Sequence, residues 1–268
     1  MNLWTSALSH RCLAMKGLNE AMSKTSPLPG EYDVILAACY ALAFQSTCMG
    51  DGHADFLTLI RGCGLVTKRI LSDNIDTAFL LTENVRFLEA HLHDLPVLCG
   101  KLIEDGFPSL DNIRPLLQCG TEVQFHRDLW NVLASLERSP KQAYISFTCI
   151  FRTFYCTSHA DFQRFIDPNN PVGQILLAHL IALNILFVPL TLRGMIPRFL
   201  PFPRLVLAPL DWAEHLYKSL HISKRHYICW PMRVANEFRA DIDRNERHGE
   251  GILVQASRQG SPRILLGP

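Results

Sequence analysis

The sequence predicts an all-α fold: a multi-helix orthogonal or stacked bundle around one large hydrophobic core. Three observations carry this. Apolar residues recur at helical spacing through much of the chain, with breaks at proline and glycine. Period-two alternation bounded by turn residues, the mark of a β-sandwich, is scarce. Hydrophobic residues make up 48% of the 268 residues and charged residues 19%, which is apolar enough to leave much of the chain interior.

The first helix is expected from Leu8, Met15 and Met22, spaced by seven, with Trp4 and Leu18 adjoining. Asn2, His10, Lys16 and Glu20 lie opposite. It stops at SKTSPLPG. Glu31 to Met49 is apolar on nearly all sides and reads as a central helix, ended by Gly50-Asp51-Gly52. A third helix starts at Asp51 or His53 and places Phe56, Leu57, Ile60 and Gly64 on one side. Gly62 and Gly64 cost helix propensity, and their expected use is close helix–helix approach.

Further helices are expected at 77–93, 111–118, 121–137, 141–158, 159–165, 172–188, 211–220 and 225–245. Asp111 and Ser158 have the short oxygen of an N-cap, and Pro140 suits a helix start. Pro189 to Pro209, with four prolines between Pro197 and Pro209, reads as an extended, packed connector. A helical domain over residues 1–246 is thus followed by a loosely ordered tail, 247–268, where glycine and serine rise and helical period disappears.

From Val172 to Leu192 there is no formal charge. Such a run can span a bilayer, but Gln174, His179 and Asn184 fall inside it and Pro189 interrupts it. A buried central helix is the better reading, with no stable membrane span; a single-span membrane protein is the competing one. The net charge of +1 argues against DNA binding by this segment. The nine cysteines contain no C-x-x-C and read as small buried hydrophobes in a reducing compartment. No secretory signal pattern is present.

The common nucleotide, zinc-protease and hydrolase motifs are missing, and no nucleophile, base and orienting group assemble into a catalytic set. His91 and His93 diverge by about 200° on a helix, which suits shared metal ligation poorly. Cys149 and Cys156 share a face at a spacing better suited to core packing than to a bridge. Asp241 and Asp243 read as a solvated face. His179, with Gln174 and Asn184 each five residues away, allows two readings: separate hydrogen bonds to neighbouring helices, or polar anchors in an otherwise apolar lipid pocket.

Four segments, LWTSALSHRCLAMKGLNEAM, ILAACYALAFQSTCMGDGHADFLTLIRGCGLVTKRI, IDPNNPVGQILLAHLIALNILFVPL and YICWPMRVANEF, together resemble the C-terminal regulatory domain of fungal zinc-cluster transcription factors, in the sterol uptake control group. They span most of Leu3 to Phe238. The resemblance implies a transcription-regulating, non-enzymatic module shared between nucleus and cytoplasm. It implies a hydrophobic pocket for an ergosterol-like sterol or other lipid, with no cofactor or metal, and dimerisation. Pocket and core surface would come from 39–49, 56–63 and 174–188. Within these, Phe44, Met49, Phe56, Ile60, Gln174, Leu177, His179, Ile181 and Asn184 are the expected ligand-binding residues.

The sequence departs from the family in lacking the six-cysteine zinc cluster that reads DNA. Two explanations stay open: an upstream part was removed, or the natural gene lacks it. In the second case heterodimerisation with a full-length relative is expected. The competing function is a ligand-free interaction scaffold or orphan regulator of the same fold, which predicts a filled core where ligand sensing predicts a closed apolar cavity.

Overall fold

A helix with no charge along most of its length needs apolar neighbours on every side. In this structure, a computed structural model describing residues 3–23, 29–79, 100–194 and 203–247, the rest of the chain provides them. The helices in chain order are α1 (Leu3–Met22), α2 (Pro29–Ser46), α3 (His53–Ser72), α4 (Gly100–Glu104), α5 (Gly106–Asp111), α6 (Gly120–Leu136), α7 (Pro140–Cys156), α8 (His159–Ile166), α9 (Pro171–Gly194), α10 (Pro203–Ser219) and α11 (Cys229–Arg247). Short 3₁₀ turns lie at Arg114–Leu116 and Ile222–Ile228. No strand occurs among the described residues, so the expected all-α bundle is borne out.

Helix α9 is the axis. Helices α6, α8, α10 and α11 and the second 3₁₀ turn all pack on it. It is the one described helix long and apolar enough to cross a membrane, and 83% of Pro171–Val188 is buried inside the protein. Its apolar surface is therefore used by the fold. Its start is set by Asn170, whose Oδ1 accepts from the backbone N–H groups of Val172 and Gly173 at 3.1 Å each.

Helices α6 and α7 form a hairpin against α9. Phe125, Leu129, Val132, Leu133 and Leu136 line the buried face of α6 at helical spacing, and Ala143, Phe147, Ile150 and Phe154 that of α7. Ring contacts knit them: Phe125 lies 5.1 Å from Phe154, and Phe147 lies 4.7 Å from Phe187 of α9. Pro140 begins α7 behind an N-cap Ser139, and Ser158 caps α8 by accepting from the Asp161 N–H, both where the sequence placed them.

The core has two parts. The large one surrounds α9; a smaller one joins Leu18 of α1 with Ile35, Leu36, Cys39 and Leu42 of α2 and Leu59, Cys63, Val66 and Ile70 of α3. Phe56 packs against both. Arg11, buried in α1, fastens the smaller part. Its guanidinium donates to Leu42 O, Gln45 Oε1, Ser46 Oγ and, at 2.8 Å, Asp55 Oδ2. Four acceptors compensate a cation that would otherwise be costly to bury.

Several expectations change. The buried side of α1 runs through Arg11, Met15, Leu18 and Ala21, and Leu8 and Met22 are exposed. No helix covers 111–118: Asp111 ends α5, and Pro115, having no N–H, cannot donate to the carbonyl four residues back. Thr77 to Phe79 are not helical, because the Asp33 carboxylate accepts from Thr77 Oγ1 and the Ala78 N–H; the remainder of 77–93, with His91 and His93, lies outside the described residues, as does the 248–268 tail.

The expected extended connector is helical at both ends. Helix α9 continues through position 189 to Gly194, and α10 begins at Pro203, where a missing N–H is harmless. It carries Pro209 in its interior because Leu210, Trp212, Ala213 and Leu216 bury against α9 and outweigh one lost hydrogen bond. The cysteine expectation holds for Cys39 and Cys63. Cys12, Cys48, Cys149, Cys156 and Cys229 are exposed.

Gly64 sets the approach of α3 to α7. A Cβ built there would lie 2.3 Å from Cδ1 and 2.7 Å from Cγ of Tyr155, atoms at the fixed end of the ring. Replacing Gly64 with Ala is expected to cost about 1–3 kcal/mol through overpacking, despite better helix propensity. Urea denaturation checks this: the midpoint should fall in G64A and recover when Tyr155→Ala is added.

Candidate ligand cavity and the polar groups of the core

One small cavity lies where α3, α7, α9 and α10 meet. Its walls are Phe56 and Leu57 of α3, Phe147 and Phe151 of α7, Leu177, Leu180 and Ile181 of α9, and Trp212 of α10. Two polar side chains join them, His53 at the first position of α3 and Asn184 on α9. The cavity volume is about 30 Å³, room for about two waters.

His53 is 7% exposed, and its Nδ1 is the one buried side-chain nitrogen or oxygen without a hydrogen-bond partner among the described residues. Burial, helped by the facing His215 ring 5.5 Å away, pushes its pKa down to about 4, against the opposing pull of Asp51 and Asp55. The ring is therefore neutral at physiological pH. A neutral imidazole nitrogen in an apolar wall can take one hydrogen bond from a small hydroxyl, and an unmet one costs about 1–3 kcal/mol. The Asn184 amide, half-buried on the same cavity, adds a donor and an acceptor. An apolar wall with two convergent polar groups is the make-up of a site for an amphipathic ligand.

Four of the expected ligand residues meet at this cavity: Phe56, Leu177, Ile181 and Asn184. Ile60 instead lines an open groove between α3 and α7. Phe44 is 55% exposed on the outer side of α2, away from the cavity. Met49 contributes its backbone, the carbonyl accepting from Trp212 Nε1 at 2.9 Å. Gln174 is buried and donates to the Asp167 carbonyl at 3.3 Å, holding the loop before α9.

His179 is a satisfied core histidine. It is fully buried; Nδ1 lies 2.9 Å from the Ile175 carbonyl and Nε2 lies 2.9 Å from Ser109 Oγ. A carbonyl only accepts, so Nδ1 carries the proton and Nε2 accepts from the serine hydroxyl. The ring stacks on Trp230 at 5.5 Å, whose Nε1 donates to the Leu102 carbonyl at 2.8 Å. Burial pushes the His179 pKa down to about 4, with His126 adding to it and the Ile175 hydrogen bond opposing.

Sequence reasoning did not single out His53, though it shares the α3 face of Phe56, Leu57 and Ile60. That spacing was the available signal. Among the described residues, no group of histidines, cysteines and carboxylates is arranged to hold a metal ion. No protein-family model, no curated protein and no solved structure matches the chain.

Both histidines tie stability to pH. Their folded pKa values, about 4, lie below the ordinary 6.5, so the unfolded chain binds more protons between those limits. Their contribution is complete above pH 6.5 and is lost as pH falls toward 4, on the order of 3 kcal/mol for each ring. A melting temperature that falls steadily from pH 7 to pH 4.5 is expected, with a shallower slope in H179L. At pH 7 that variant should lose about 1–3 kcal/mol, because Ser109 is left without its partner. A slope unchanged in both H179L and H53L would overturn the assignment.

Proposed function

We propose that this chain is a partner-binding regulatory module of the fungal zinc-cluster transcription factor type. Its α3–α7–α9–α10 cavity receives the polar end of a hydrophobic ligand such as a sterol. The observation that carries the reading is the unpartnered Nδ1 of His53, a residue that with Asn184 lines an otherwise apolar cavity. A sterol offers the matching chemistry: a rigid apolar body and one hydroxyl that donates to a neutral imidazole. The segments of family resemblance add support, since they fall on α1, on α2–α3, on α9 and on the 3₁₀ turn leading into α11.

Size bears on how the ligand enters. Sites for drug-sized ligands are about 300–1,000 Å³, roughly ten times this cavity or more. On the proposed reading, uptake widens the cavity by parting α3 and α10 from α9. A ligand-free interaction scaffold is the second reading, and the same fullness of the core favours it. The two differ in whether a lipid is taken up at all. Both leave gene control to dimerisation or to contact with a full-length relative, in nucleus or cytosol.

Native mass spectrometry of the recombinant chain, with lipid extraction and then titration with ergosterol, separates the readings. One sterol per chain is expected, with H53L and N184L each weakening uptake about tenfold, the worth of one hydrogen bond to a buried polar group. An empty protein that also refuses ergosterol leaves the scaffold reading. The same spectra report the dimer.

A further inference from the structure

Among the described residues two cysteines are buried, on helices that pack together. Cys39 on α2 is 1% exposed and Cys63 on α3 is 4% exposed. They belong to one packed cluster, across the most extensive helix contact of the smaller core. Gly62, next to Cys63, leaves room for the pair: a Cβ built at Gly62 would sit 3.6 Å from Cys39 Sγ, so the sulfur lies directly against the α3 backbone.

Cys63 also forms part of the floor of a groove of about 660 Å³ between α3 and α7. Gly64, Thr67, Lys68, Arg152 and Tyr155 line that groove beside it. One sulfur of the pair thus borders open space while the other is sealed behind it.

We propose that Cys39 and Cys63 form an oxidation site in which a small peroxide entering the α3–α7 groove converts the thiol pair into a disulfide joining α2 to α3. The sulfur of Cys63 attacks one oxygen of the peroxide. The O–O bond breaks, giving Cys63–SOH and one water. The sulfur of Cys39 then attacks Cys63 Sγ, the S–O bond breaks, and the hydroxyl leaves as a second water with the Cys39 proton. Two thiols lose two electrons and two protons, and one peroxide becomes two waters.

Access sets the order of steps, since Cys63 and not Cys39 lines the groove. The hydrogen bond from Cys63 holds the Cys39 thiol below its ordinary range, while that same bond, burial and the neighbouring sulfur push Cys63 up. Attack by Cys63, the harder of the two to ionise, is therefore the slow step, and the more readily ionised Cys39 resolves the sulfenic acid.

The bridge also changes the fold locally. A disulfide needs its sulfurs about 2 Å apart, closer than hydrogen-bonded thiols sit. Oxidation therefore draws α2 and α3 together beside Gly64, the contact that seats α3 on α7. The exposed Cys12, Cys48, Cys149, Cys156 and Cys229, free among the described residues, serve as internal controls.

The test treats the folded wild-type chain with stoichiometric hydrogen peroxide, blocks remaining thiols, and maps peptides without reduction. The expected result is a linked peptide pair containing Cys39 and Cys63, reversed by dithiothreitol. In C39A, Cys63 should instead remain as a sulfenic acid that a dimedone probe labels. Overoxidation of Cys63 with Cys39 still alkylatable would overturn the proposal. So would oxidation confined to the exposed cysteines while both buried thiols stay reduced.

Discussion

The burial of α9 is the constraint on which the other packing depends. A run of Ile175, Leu176, Leu177, Ala178, Leu180, Ile181, Ala182 and Leu183 offers no polar face, so no orientation of the helix leaves it half in water. At about 1.5–3 kcal/mol for each large aliphatic side chain taken out of water, its burial outweighs local preferences elsewhere. That is why α10 tolerates Pro209, and why the α6–α7 hairpin presents nearly all its phenylalanines inward. It also explains His179. A polar group on a helix sealed on all sides must be satisfied from within, and Ile175 and Ser109 supply both partners.

Helix α3 is the seam between the two parts of the core, and the features with functional content lie along it. Its first turn gives His53, Phe56 and Leu57 to the cavity; its later turns give Ile60, Cys63, Gly64, Thr67 and Lys68 to the groove. The seam is held at one end by Arg11 reaching Asp55, and on its outer side by Arg61, whose Nε donates to the Phe154 carbonyl of α7 at 2.9 Å. These are polar fastenings around a glycine contact, whereas α9 is fixed by dispersion and burial on all sides. A rearrangement that opened the cavity would therefore be cheapest along α3.

How much of this was legible in the sequence follows from which signals are local. Helix existence was local: Ser158 caps and Pro140 starts a helix through the nearest turn, as expected, whereas Asp111, expected as a cap, ends α5. The failures arose where a tertiary partner decides. Leu8 and Met22 formed a plausible stripe on α1, yet Arg11 took the buried side because Leu42, Gln45, Ser46 and Asp55 meet it there. Phe44 looked like core and is exposed, since α2 is nearly uniformly apolar and its sequence does not say which side faces α3. Cys149 and Cys156 lay on a helix whose inward face is fixed by Ala143, Phe147, Ile150 and Phe154.

The same logic explains why the site was half legible. Phe56, Leu177, Ile181 and Asn184 sit on helices whose apolar content marked them, and they converge. His179 lies in a run of apolar residues and His53 between Asp51 and Asp55 at a helix start, and the fold brings them different partners. His179 meets a carbonyl and a hydroxyl; His53 meets phenylalanines, leucines and a second histidine. An unpartnered buried imidazole nitrogen is a standing cost of about 1–3 kcal/mol, which a well-packed core retains only where something offsets it. A hydroxyl entering beside His53 would recover that cost and gain the apolar contacts of the wall. The unpartnered His53 nitrogen is thus the physical argument for a ligand, and it is independent of any family likeness.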